Sequence, residues 1–106
     1  MQIKINHHTI SENSKTFLVG EIGLNHDGKI SKCKKLIDNA KIAGFDAVKL
    51  QISDPNESYY PNSPSFKTFK KYSLKIEDLK KIVKYAKKKK IVIFSTFGDL
   101  KSLKYQ

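Results

Sequence analysis

The sequence predicts an α/β protein built on a parallel sheet. Three apolar runs recur along the chain, at residues 16–22, 46–51 and 91–95. Amphipathic helical patterns at about 31–43 and 76–89 separate them, which is the alternation that produces parallel strands. Each run also ends in polar side chains, where open α/β sheets and barrels place their chemistry.

The N-terminus reads as a short strand, Ile3 to Asn6, then a polar turn through Ser11-Glu12-Asn13-Ser14, giving a short lead-in hairpin toward the next strand. His7 and His8 are adjacent, so on a strand they face opposite ways; they read as exposed loop histidines. Strand one, Thr16 to Ile22, is almost continuously apolar, as a strand covered on both faces is. A glycine-bracketed turn follows, Gly23-Leu24-Asn25-His26-Asp27-Gly28. In the first helix Cys33, Leu36, Ile37, Ala40 and Ala43 keep three-four spacing, and Gly44 is the stop. Strand two is Asp46 to Gln51. Residues 52–73, with Pro55, Pro61 and Pro64, form the longest irregular stretch and suit a functional loop; Ser65 to Tyr72 fits a short helix inside it. In the second helix Ile76, Leu79, Ile82, Val83 and Ala86 share a face, and Lys87 to Lys90 complement the helix dipole at its end. Strand three, Ile91 to Ser95, turns at Phe97-Gly98-Asp99 into the start of another helix, Leu100 to Tyr105.

The chain has 106 residues and a net charge of +11, and all 21 basic residues are lysine. Readers of phosphate and base edges favour the arginine fork, so a basic nucleic-acid binder is the weakest functional reading. No apolar run reaches the roughly 20 residues of a membrane span, and the N-terminus lacks the pattern of a signal peptide. A lone Cys33 forms no internal disulfide and suits a reducing, cytoplasmic setting.

The strand ends carry the candidate site. Lys49 lies between Val48 and Leu50, and a cation in a buried strand needs a carboxylate or a bound anion. Glu21 can supply the carboxylate from the neighbouring strand. Gln51 points the same way as Lys49. Ser95 and Thr96 offer hydroxyls to a phosphate or carboxylate, and Asn25 and His26 can hydrogen-bond the backbone of the first loop. No HxxH or CxxC pair, phosphate-binding glycine loop or GxSxG elbow is present, so no self-contained metal or nucleotide motif is expected.

Three segments in register resemble one family. Glu21-Ile22-Gly23-Leu24-Asn25-His26-Asp27-Gly28, Gly44-Phe45-Asp46-Ala47-Val48-Lys49-Leu50-Gln51 and Phe94-Ser95-Thr96-Phe97-Gly98-Asp99 are similar to the opening of sialic acid synthases, the NeuB-like condensing enzymes. Phe97-Gly98 stands where the family pattern has proline after Ser-Thr. The resemblance implies a TIM barrel, of which this chain is expected to be the N-terminal βαβαβ portion, one incomplete domain over residues 1–106. The implied reaction joins phosphoenolpyruvate to an N-acylated amino sugar of the N-acetylmannosamine type, with a divalent metal (Mn2+ or Mg2+). By the same resemblance Glu21 is the catalytic candidate, facing the sugar and the metal-bound water with Gln51. Lys49 would hold phosphoenolpyruvate, Ser95 and Thr96 would lie near its phosphate, and Asn25 and His26 would shape the first loop.

None of His7, His8 and His26 matches the family's metal positions. A barrel has eight strands, so the expectation is a synthase fragment, inactive alone and completed by the missing barrel part or a homologous subunit. The alternative is a non-catalytic remnant that binds an anion or sugar phosphate, or docks on a full-length homologue.

Overall fold

A computed structural model describes residues 1–106. The elements run β1 (Ile3–Ile5), β2 (His8–Ile10), β3 (Val19–Gly23), α1 (Ile30–Ile42), β4 (Ala47–Ile52), α2 (Pro55–Ser58), α3 (Pro64–Tyr72), α4 (Ile76–Lys88), β5 (Val92–Phe97) and α5 (Leu100–Leu103). β3, β4 and β5 form a parallel sheet in that order, and β1 and β2 a separate antiparallel hairpin. Helices make the crossovers that parallel neighbours require.

α1 and α4 cover one face of the sheet. Between them and the strands lies a core that includes Ile22, Cys33, Ile37, Val48, Leu50, Ile82 and Ala86. The core positions on β4 alternate, Val48 and Leu50 inward toward the helices, as period-two geometry requires. The helices are stitched together by Asp38, which accepts from Tyr85 Oη at 2.7 Å and pairs with Lys89 at 2.9 Å. Glu77 and Asp78 open α4, and Lys87 and Lys88 close it, in the sense the helix dipole favours.

Several element bounds shift from the sequence expectation by one to three residues. The first main strand starts at Val19 rather than Thr16, because the Leu18 amide is taken by the Asp46 carboxylate at 2.8 Å. The last strand extends to Phe97, where pairing with Ile52 keeps the ladder going. The lead-in hairpin exists, but it closes on itself between Ile3 and Ile10 around Asn6 at φ +53° and does not pair with β3. His8 is not an exposed loop residue. It sits half-buried in β2, edge-on to Phe17 at 5.1 Å and with Nδ1 3.6 Å from Asp46 Oδ1. Residues 52–73 are less irregular than expected. Asp54 and Ser63 each cap a helix that opens on proline, accepting from Asn56 N and Phe66 N, the arrangement that proline at the first helical position favours.

Candidate functional site

The second face of the sheet carries no helix. Glu21 on β3 registers with Lys49 on β4, Lys49 with Phe94, and Gln51 with Thr96 on β5. Registered partners point to the same side, so Glu21, Lys49, Gln51 and Thr96 share this open face. The Lys49 ammonium is in contact with the Glu21 carboxylate; its side chain is 25% exposed against 66% for Glu21. The more buried partner is therefore the cation, and it faces its one carboxylate across the strand pair. A bulge between Glu21 and Gly23 ends the regular pairing of β3 just past the pair, and bulges of this kind re-aim the chain at sites.

Ser95 goes the other way. One residue along a strand reverses the side chain, and its single hydroxyl hydrogen is within reach of two backbone carbonyls, Leu50 O at 3.0 Å and Thr96 O at 2.7 Å. It is thus spent on the ladder and stands apart from Lys49, Gln51 and Thr96.

The loop after β3 is wound tightly. Asn25 N donates to Ile22 O, Asp27 N to Leu24 O and Lys29 N to His26 O. Asn25 is exposed, whereas His26 is fully buried. His26 Nδ1 accepts from Gly28 N at 3.0 Å, across a turn in which Asp27 and Gly28 both have positive φ. Asp27 is also held by Lys32, which is the main reason its carboxyl titrates below the usual range.

A second cluster joins the ends of β4 and β5, and the sequence reading did not single it out. Asp99 accepts from Ser102 N, Ser102 Oγ and Asp54 N at 2.7–2.8 Å. Ser53 and Ser58 share a hydrogen bond of 2.6 Å, and Lys101 reaches Asp54 at 2.6 Å. Burial pushes the Asp99 carboxyl up, but the hydrogen bonds it accepts outweigh this and leave it below its ordinary value. A Cβ at Gly98 would come within 2.7 Å of Ser53 Oγ, so glycine at this position lets the two loops meet. The available signal was the Asp-Pro of Asp54-Pro55 and the Asp-x-x-Ser of Asp99 to Ser102, both helix-cap patterns. A cavity of about 640 Å³ opens beside this cluster, lined by Gln51, Asp54, Ser73, Lys75 and Lys101 among others. Glu21 and Lys49 lie outside it, on the open sheet.

The NeuB family matches residues 36–105. The chain belongs to the NeuB family. It is 35% identical over 100 residues to the uncharacterized protein MJ1065 of Methanocaldococcus jannaschii, covering 94% of this chain and 30% of that one. It is 28% identical to the spore coat polysaccharide biosynthesis protein SpsE of Bacillus subtilis, covering 86% of this chain and 27% of the relative. The structure of the N-acetylneuraminic acid synthetase of Leptospira borgpetersenii, in complex with citrate, superposes with a TM-score of 0.90 at 26% identity. That match covers 99% of this chain and 37% of the other. This NeuB-family chain therefore spans about a third or less of the length of these relatives, and its α/β architecture is a portion of their barrel.

The divalent metal implied by the resemblance does not fit the residues of this NeuB-family chain. No three His, Cys, Asp or Glu side chains converge to hold an ion; His26 is sealed in, and His8 lies against Asp46 at the start of β4, away from the strand ends. No helix is long and apolar enough to cross a membrane.

Proposed function

We propose that this chain contributes the first strands of a synthase barrel that condenses phosphoenolpyruvate with an N-acylated amino sugar, and that it does not turn over alone. The observation that carries this reading is the Glu21–Lys49 pair on the uncovered sheet face, with Gln51 and Thr96 one step nearer the strand ends. Lys49, flanked by apolar neighbours and desolvated on one side, is the group to hold an anionic carboxylate or phosphate. Gln51 can donate to a substrate oxygen and accept from a sugar hydroxyl through the same amide. Thr96 adds a hydroxyl beside it. Glu21 balances Lys49 in the absence of substrate, and when an anion takes its place the carboxylate is freed to orient a sugar hydroxyl or water. The metal ligands and the remaining substrate contacts would come from outside these residues.

A second reading is supported by the sheet edges. β3 and β5 each leave one side unpaired, so the chain can serve as a docking element that binds an anion without catalysing anything.

Phosphate release from phosphoenolpyruvate, with and without Mn2+, distinguishes these readings. The chain alone should release none. A polypeptide supplying the other barrel strands should restore release, and Lys49→Met should abolish it again. If the Lys49→Met chain restores release as well as the parent does, the assignment of Lys49 fails. If no complementing polypeptide gives release while phosphoenolpyruvate still shifts the Lys49 and Gln51 amide resonances, the docking reading stands.

A further inference from the structure

His26 is fully buried, yet only one of its ring nitrogens has a partner. Nδ1 accepts the Gly28 amide hydrogen, so Nδ1 carries no proton. The neutral ring must then hold its hydrogen on Nε2, and Nε2 is buried without an acceptor. The ring is thus constrained twice over: it is needed as an acceptor on one side and left unsatisfied on the other.

We infer that His26 is a pH-sensitive latch on the β3–α1 loop: neutral, it holds the loop closed against the end of α3; protonated, it leaves its pocket and lets the loop open. The chemistry is local. A proton on Nδ1 turns the acceptor into a donor that faces the Gly28 N–H, another donor, so the hydrogen bond is replaced by a repulsion. The burial that excludes water also removes the solvation an imidazolium needs. Of the hydrogen bonds that wind this turn, the one from Gly28 N is the one closed by a side chain; the others run between backbone groups. Asp27 stands at φ +51°, a left-handed conformation that costs a non-glycine residue energy.

The closed loop is a packed element. The Cβ direction of Gly28 points at Ser73 O, 3.1 Å away, with the Tyr72 carbonyl at 3.5 Å. Opening therefore separates the loop from the α3 C-terminus and moves Asn25, which follows Glu21 by four residues. The charged groups around the ring are few. The Gly23 backbone and, after it, Asp27 on the loop itself favour the imidazolium, and Asp27 is already held by Lys32 of α1 with Lys29 nearby. Lys71 at the end of α3 also feels Asp27. Burial dominates, and it holds the imidazole below its ordinary value of 6.5.

The test is a pH titration of the 106-residue chain by NMR, reading the three histidine rings and the hydrogen exchange of the Gly28 and Ile82 amides. The latch predicts that His26 shows the Nε2–H tautomer at neutral pH and titrates below its ordinary value of 6.5. Gly28 protection, corrected for intrinsic exchange, should fall by up to about tenfold per pH unit below 6.5 and level off once the closed-state ring itself titrates, while Ile82 protection holds. His26→Asn, which offers a carboxamide oxygen near the Nδ1 position, should flatten the Gly28 profile. A His26 that titrates at or above 6.5 while Gly28 stays protected, or whose titration opens Gly28 and Ile82 equally, overturns the inference. Should the Asn variant fail to fold, the parent titration decides by itself.

Discussion

At Gly28 a methyl group would land 3.1 Å from the Ser73 carbonyl, at a φ of +68°. Both facts penalise a side chain, so Gly28→Ala should lower stability by about 1–2 kcal/mol from the left-handed backbone alone, with the close approach adding to it; a denaturant melt reads the difference. Lys49 behaves in the opposite way. Its partner Glu21 is largely exposed, and ion pairs of that kind contribute roughly 0–1 kcal/mol. Lys49→Met should leave the melt nearly unchanged and remove anion binding, a separation that calorimetry with phosphoenolpyruvate checks. Burial raises the Cys33 thiol to about 11, and the residue is fully covered by the core. Thiolate is the reacting species, so iodoacetamide at pH 8 should label Cys33 only after denaturant is added. The residue scale also shows what alternation can and cannot reveal. Lys49 and Gln51 are two apart on one strand, so their common face was legible. Whether Ser95 or Thr96 joins them depends on the pairing register between β4 and β5, which no single strand encodes.

Among the elements, the short connections are held by carboxylates. Asp99 caps α5 and reaches back to Asp54 N. Asp99→Ala would strand the Ser102 N, Ser102 Oγ and Asp54 N donors, and a buried unsatisfied donor costs about 1–3 kcal/mol; losing the α5 cap and the tie to Asp54 together should show as a lowered melting temperature and faster exchange at Ser102. Asp99, Asp54 and Asp38 all titrate below their ordinary value of 3.8 in the folded chain. For Asp38 and Asp54 the leading cause is the hydrogen bond from Lys89 and Lys101 respectively. A depressed acid contributes stability that is present above its unfolded value and lost as pH falls through the folded one. Stability should thus hold down to about pH 4 apart from the His26 contribution, which starts to fade below 6.5, and should then drop steeply in acid. An acid titration of the melting temperature would show both steps. α1 and α4 were readable because three-four spacing runs for thirteen residues in each. α2 has four residues and no buried one, so periodicity had nothing to register and the sequence reading missed it; its Asp-Pro start was the one signal present.

The molecule as a whole is a one-sided sheet carrying a strong positive charge. Of its 21 lysines, only Lys32, Lys49, Lys81, Lys89 and Lys101 have a carboxylate within 4 Å. The others repel one another through solvent, and salt shortens that reach to about 8 Å at physiological strength. Two effects should follow as salt rises from about 0.02 to 0.5 M, across which the Debye length shrinks severalfold. The melting temperature should rise, and sedimentation should show growing self-association, because screening unmasks the unpaired edges of β3 and β5. At this scale the strand–helix alternation made the sheet legible from sequence. The bare second face was not, since the apolar pattern of β3 and β5 is the same whether a strand is covered by helices or by other strands.

The uncovered face has a further consequence. Ile22, Val48 and Leu50, which hold the fold, and Glu21, Lys49 and Gln51, which would meet a ligand, alternate along the same strands and share no side-chain environment. Inheritance can therefore edit the two sets independently. A lineage is free to try new polar groups on the open side, and so new substrates, while every trial keeps the same scaffold underneath.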